Sequence, residues 1–227
     1  QNRVFAAPVA LDRERTPSDS IRAIVCNSGN ANACTGQRGL DDAREMAKLA
    51  AGVCGALPEQ ALVLSTGVIG EFMPMAKIAE GIAAAAQELG NDSDSLIAAA
   101  RGMMTTDTVE KLAGRKLKLS SGEATIVGMA KGAAMIGPNM ATMLAIVLTD
   151  AALAPRDAQA ALTESVCDSF NCISVEGHMS TNDSVLLLAN GLAGGTPLSG
   201  DDLAAFGEAL GQVCMELARA IPADGEG

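Results

Sequence analysis

Residues 132–149 contain no charged side chain, and Lys131 and Asp150 close the run on either side. At 18 residues the stretch just reaches the length that crosses a bilayer. Gly137-Pro138-Asn139 interrupts it, and the segment that follows, 143–148, is wholly apolar. A turn signal before a short apolar run reads as a buried strand, and such a strand needs covering layers on both faces. Candidates for the rest of those layers are plain. Residues 21–26, 61–64, 172–175 and 184–188 read as strands. Residues 115–119 and 124–129 flank Ser120-Ser121-Gly122-Glu123, the pattern of a hairpin. Helical spacing covers 41–53, 75–89, 95–103, 155–168 and 201–219, with Pro155 suited to a first turn. The mixed order of strand pairs and helix pairs predicts a layered α/β protein.

Charge and aromatic content exclude several function classes. Sixteen basic residues face 27 acidic ones, a net charge of −11, which repels phosphate backbones and anionic lipid. Four Phe with no Trp or Tyr leave little to stack on bases. Neither nucleic acid nor a membrane surface is therefore expected as a partner. Six cysteines show no C-x-x-C pair, and His178 is the only histidine, so no metal site is expected. The cysteines read as buried thiols of a reducing compartment, the cytoplasm. Gln1-Asn2-Arg3 lacks the apolar segment of a secretory signal.

A single histidine narrows nucleophilic catalysis. A Ser-His or Cys-His mechanism would have to use His178, which lies in the polar turn Glu176-Gly177-His178-Met179-Ser180 and reads as solvated. Thr142 offers another route. It stands between Ala141 and Met143 at the mouth of the apolar strand. Were the bond before it cut, its α-amine, titrating near 7.7–8.0, would serve as its own base. Lys131 in an apolar, small-residue setting also needs a reason for its charge. Ser65-Thr66-Gly67 after a strand can supply hydroxyl and N–H donors to an oxyanion, or can be a plain turn. Asn27-Ser28-Gly29-Asn30-Ala31-Asn32-Ala33-Cys34-Thr35-Gly36 reads first as a tight structural loop and second as an anion cradle. Thr105, Thr106, Asp107 and Thr108 read as a helix cap or a polar ligand contact.

In this order, these segments resemble the arginine-biosynthetic ornithine acetyltransferase (glutamate N-acetyltransferase, ArgJ-type) family. The match is carried by residues 27–36, Ser-Thr-Gly-Val-Ile-Gly at 65–70, Met-Thr-Thr-Asp-Thr at 104–108 and Ala-Lys-Gly at 130–132. Pro-Asn-Met-Ala-Thr-Met-Leu at 138–144, Ser-Thr-Asn-Asp at 180–183 and Asp-Gly-Glu-Gly at 224–227 complete it. The resemblance implies the family's α-β-β-α sandwich, shared with self-processing aminopeptidases. It implies self-cleavage between Ala141 and Thr142, giving segments 1–141 and 142–227 of one intertwined unit that pairs into a heterotetramer. Thr142 would be the nucleophile, and Thr66 with Gly67 the oxyanion hole. Thr108, Lys131, Thr142 and Glu226 would bind N-acetylornithine and glutamate, Lys131 attracting a carboxylate and Glu226 an ammonium. No cofactor is implied, acetyl-CoA being an alternative donor in some members. Members also extend beyond both ends of this chain, and their C-terminal part supplies further substrate contacts. A self-processing hydrolase, or an inactive chain with only a binding role, are the alternatives.

Overall fold

In strands β1 (Ala23–Asn30) and β2 (Ala61–Val68), paired in parallel, successive side chains point to opposite faces and meet different partners. Ala23, Val25, Ala61 and Val63 pack with Ala43, Met46 and Ala47 of helix α2 (Gly36–Val53). Ile24, Cys26 and Leu64 turn the other way, onto Met129, Leu144 and Ile146 of a second sheet. That sheet contains β3 (Lys111–Leu119), β4 (Gly122–Lys131), β5 (Leu144–Thr149) and β6 (Ser184–Ala189), in spatial order. It is antiparallel as far as β5 and parallel between β5 and β6. Its far face, with Ala124, Ile126, Ala145 and Val147, packs on helix α6 (Gly200–Ala223), and helix α5 (Pro155–Cys167) lies beside α6. Helix, sheet, sheet and helix thus stack in the α-β-β-α order expected. The computed structural model describes residues 4–134, 143–175, 177–178 and 180–225.

Helix α6 buries Phe206, Leu210, Val213, Leu217 and Ile221, spaced three and four apart on one stripe. A Cβ at Gly128 would stand 2.8 Å from Leu217 Cδ1 and 3.1 Å from Val213 Cγ1, so this glycine sets how closely α6 approaches β4. At the start of α6, Asp202 accepts the Ser120 N–H at 2.9 Å and binds its hydroxyl, tying the helix to the β3–β4 hairpin. Helices α3 (Met75–Gln87) and α4 (Ser93–Met103) fall where the spacing predicts, and Asp92 caps α4 through the Ser95 N–H at 2.8 Å.

The structure departs from the sequence-based expectation in four places. Helix α1 (Ala7–Arg15) was not anticipated; its Asp12 accepts the Val63 N–H at 2.9 Å and Arg15 donates to the Ala61 carbonyl. These two side chains satisfy backbone groups of β2 that, among the described residues, no further strand pairs. Residues 27–30 and 65–67 continue β1 and β2 instead of turning, because Asn27, Ser28 and Gly29 pair with Ser65, Thr66 and Gly67. Residues 172–175 form no strand: Phe170–Cys172 is a 3-10 turn, and only Val175 makes an isolated bridge. All six cysteines are free, yet Cys34, Cys54, Cys167 and Cys172 are exposed and Cys214 alone is fully buried. The uncharged run contributes β5, and among the described residues no helix is long and apolar enough to cross a membrane.

Phe206 is 0% exposed and central to the α6 interface. Phe206→Ala is expected to cost about 3–5 kcal/mol, read as a lower denaturation midpoint with an unchanged slope.

Candidate active site

Strand termini of both facing sheets converge at one end. Thr66 shares the inner face of β2 with Leu64 and is 1% exposed. Gly67 follows it with φ +131°, and a Cβ there would lie 2.2 Å from the Gly29 carbonyl carbon and 2.5 Å from Asn30 N. Only glycine fits both that backbone angle and that approach. On the opposite sheet, Lys131 ends β4 on the inner face it shares with Met129, and is 2% exposed. Its Nζ donates to Thr66 Oγ1 at 3.2 Å and to Thr105 Oγ1 at 2.8 Å. Burial pushes the Lys131 ammonium below its ordinary pKa, while the carboxylate of Asp107 pulls the other way.

Asp107 fixes this arrangement from behind. Its Oδ1 accepts the Gly132 N–H at 2.6 Å and Lys111 Nζ at 2.8 Å; its Oδ2 accepts the Thr105 N–H at 3.1 Å. Lys111 pairs with Ala130 and so faces the α6 side, where its Nζ reaches Asp224 Oδ2 at 2.6 Å. Asp224 caps α6, accepts the Thr108 N–H at 3.0 Å and binds its hydroxyl. Burial raises the pKa of both carboxyls, but hydrogen bonds from Lys111 and from backbone N–H groups outweigh it. Asp107 is held below the usual carboxylate range and Asp224 at about 2. The side chains of Lys111, Asp107 and Asp224 are only 1%, 0% and 5% exposed.

Ser180-Thr181-Asn182-Asp183 joins the two sheets at the same end. Asn182 Nδ2 donates to the Ala31 carbonyl at 2.6 Å and to the Ser65 carbonyl at 2.8 Å. Asp183 Oδ1 accepts the Met143 N–H at 3.0 Å, and Ser184 N donates to the Met143 carbonyl at 3.3 Å. Leu144, the next residue, stands between Lys131 and Ser184 in the sheet register. Burial pushes the Asp183 carboxyl up to about 8, and its Oδ2 is buried with no hydrogen-bond partner among the described residues. The 27–36 segment is tied both within itself and to its surroundings: Ser28 Oγ donates to the Gly102 carbonyl at 2.8 Å and Asn30 Nδ2 to the Phe72 carbonyl at 3.2 Å. Ala31 N binds the Val68 carbonyl, Asn32 N binds Asn30 Oδ1, and buried Asn32 holds Gly39 and Thr35. The segment's first four residues are the end of β1, and only residues 31–35 form a loop, leading into α2.

Thr66, Gly67 and Lys131 are therefore brought together at one end of the facing sheets. Within residues 105–108, Thr108 is tied to Asp224 and Thr105 touches Lys131. Ala141, Thr142 and Glu226 lie outside the described residues; their neighbours Met143 and Gly225 lie within them. His178 is exposed. Sequence reading missed the roles of Lys111, Asp107, Asn182, Asp183 and Asp224. A lysine and three aspartates inside otherwise hydroxyl-rich or apolar segments are the only signal that marks them.

The chain matches the sequence model of the ArgJ family over residues 1–227. It belongs to the ArgJ family. It is 50% identical over its whole length to the arginine biosynthesis bifunctional protein ArgJ of Symbiobacterium thermophilum, of which the match covers 56%. The chain thus spans little more than half the length of that relative. Among solved structures, ArgJ from Bacillus halodurans is similar with a TM-score of 0.55 and 40% identity, over 61% of this chain and 72% of that one. The ornithine acetyltransferase from Mycobacterium tuberculosis, solved with ornithine, is similar with a TM-score of 0.55 and 35% identity, over 61% and 73%.

The paired carboxylates give the site of this ArgJ chain a defined acid response. Asp107 and Asp224 have depressed folded pKa values, so their stabilisation is complete above the unfolded value of about 3.9. It is lost as pH falls toward the folded values, about 2 for Asp224. Lys111→Met leaves both carboxyls buried without their cation. The expected cost is about 3–5 kcal/mol, with acid unfolding displaced to higher pH in a circular dichroism titration. An unchanged acid midpoint would remove Lys111 from this role.

Proposed function

We propose that this chain carries the nucleophile, the oxyanion hole and part of the substrate site of an enzyme that moves an acetyl group from N-acetylornithine to glutamate. The observation that carries the reading is Lys131 Nζ lying between Thr66 and Thr105, beside the strand that begins two residues after Thr142. The ornithine held by the Mycobacterium tuberculosis relative supports the same substrate class.

In this reading the bond between Ala141 and Thr142 is cut by the protein itself. Residues up to 141 and from 142 onward then form two chains that share one sheet, since β4 pairs with β5 across the cut. The paired unit assembles further into a heterotetramer. The freed α-amine of Thr142 takes the hydroxyl proton, and Oγ attacks the acetyl carbonyl. Thr66 hydroxyl and Gly67 N–H stabilise the oxyanion. Collapse expels the ornithine amine, which takes the proton back, and leaves an acetyl ester on Thr142. The amine of glutamate attacks that ester in the second half of a ping-pong cycle. Lys131 has three N–H groups. Two are used on threonines, and the third is available to a substrate carboxylate. Thr108 and Glu226 contribute to the substrate site, Glu226 favouring an ammonium. No cofactor takes part, acetyl-CoA serving at most as a second donor, and the free thiols suit a reducing compartment such as the cytoplasm.

Thr142→Ala is expected to leave the polypeptide uncut and without transfer activity, read by N-terminal sequencing and an acetyl-transfer assay. A cut Thr142→Ala chain would contradict self-cleavage by this residue. With N-acetylornithine as donor, ornithine release is expected to depend on glutamate. Free acetate formed at the same rate without glutamate would mark a hydrolase instead.

A further inference from the structure

Lys131 is a buried cation with no carboxylate in ion-pair contact among the described residues. It uses its Nζ on two hydroxyls, Thr66 at 3.2 Å and Thr105 at 2.8 Å. An ammonium donates and cannot accept, so Thr66 Oγ1 is the acceptor and its own hydrogen must point elsewhere. Among the described residues no acceptor takes that hydrogen. Thr66 is 1% exposed and adjoins Gly67, whose backbone sits tightly against Gly29 and Asn30.

We propose that Lys131 is a positioning residue for the oxyanion hole, acting through Thr66. It orients the Thr66 hydrogen away from Nζ, toward where the oxyanion forms, and its charge strengthens that hydrogen as a donor. Asp107 supports the arrangement, because one carboxylate holds both the Gly132 N–H next to Lys131 and the Thr105 N–H. The inference rests on the acetyl-transfer reading. In the step concerned, the Thr142 Oγ–carbon bond forms while the carbonyl electron pair moves onto oxygen. That oxygen accepts from Thr66 and Gly67; on collapse the carbonyl re-forms and the carbon–nitrogen bond breaks. Lys131 keeps its protons throughout. In a buried site a fixed, charge-backed donor of this kind is worth far more than in water, since no solvent has to reorganise.

A double-mutant cycle tests it. The single-turnover rate of Thr142 acetylation by N-acetylornithine is measured for Lys131→Met, Thr66→Val and both together. Loss of an oxyanion donor costs about 10²–10³-fold, so each single variant is expected to slow by about 10²-fold. The double variant should be no slower than the worse single one, as residues acting through one group are not additive. Thr66→Ser restores the hydroxyl, and in that background Lys131→Met should again cost about 10²-fold. Losses that multiply in the double variant would overturn the proposal. So would a Lys131→Met protein with raised KM and an unchanged saturating rate, which marks a carboxylate clamp only. If Lys131→Met remains uncut, Lys131→Arg takes its place: keeping the charge, it should stay within about tenfold of the parent, and a loss matching Thr66→Val would overturn the proposal. A parent protein that turns over without acetylating Thr142 would instead overturn the underlying reading, and this inference with it.

Discussion

One carboxylate holds the site end of this molecule together. Asp107 accepts from the Lys111 ammonium, the Gly132 N–H and the Thr105 N–H, and thereby joins β3, the end of β4 and the connection after α4. Lys111 passes the link on to Asp224 at the end of α6. Burying three charges is costly, and pairing together with hydrogen bonds offsets that cost. Here the two carboxylates share one cation, and backbone N–H groups fill their remaining positions. The ends of four segments are fixed relative to one another without any of them needing to be long.

Strand parity decides which side chains meet. Thr66 follows Leu64 by two residues and Lys131 follows Met129 by two, so each continues an apolar inner face with a polar group at the open end. Lys111, opposite Ala130, takes the other face and reaches α6. A one-residue slip in β4 would exchange the faces and send Lys131 into the helical layer. The close approach of α6 that Gly128 permits and the hairpin tie from Asp202 to Ser120 guard against that slip. Packing and chemistry are linked through one register.

The hairpin, α6, β5 and the long helices were legible because their signals are local: alternation, a glycine turn, a stripe of apolar residues three and four apart. The layered class followed from their order. Residues 27–30 and 65–67 look like turns by composition, and only their pairing with each other makes them strand. Helix α1 escaped notice because its value lies in Asp12 and Arg15 reaching β2, 51 and 46 residues away. Lys111 and Asp224 are separated by 113 residues, and no local pattern announces a partner at that distance. At the site, Thr66, Gly67 and Lys131 stand in motifs that are conspicuous in the sequence, whereas Asp183 is one member of a polar run with nothing local to single it out. Its hold on Met143 became visible from the geometry alone.

In the proposed reaction Thr142 becomes a free N-terminal nucleophile and carries the acetyl group between substrates. Incubating the purified protein with N-acetylornithine, without glutamate, and identifying its peptides by mass spectrometry tests this most directly. The account predicts a chain that begins at Thr142 with one acetyl group on the threonine oxygen, removed when glutamate is added. An intact bond between Ala141 and Thr142 in an active protein, or an acetyl group found on another residue, would contradict it.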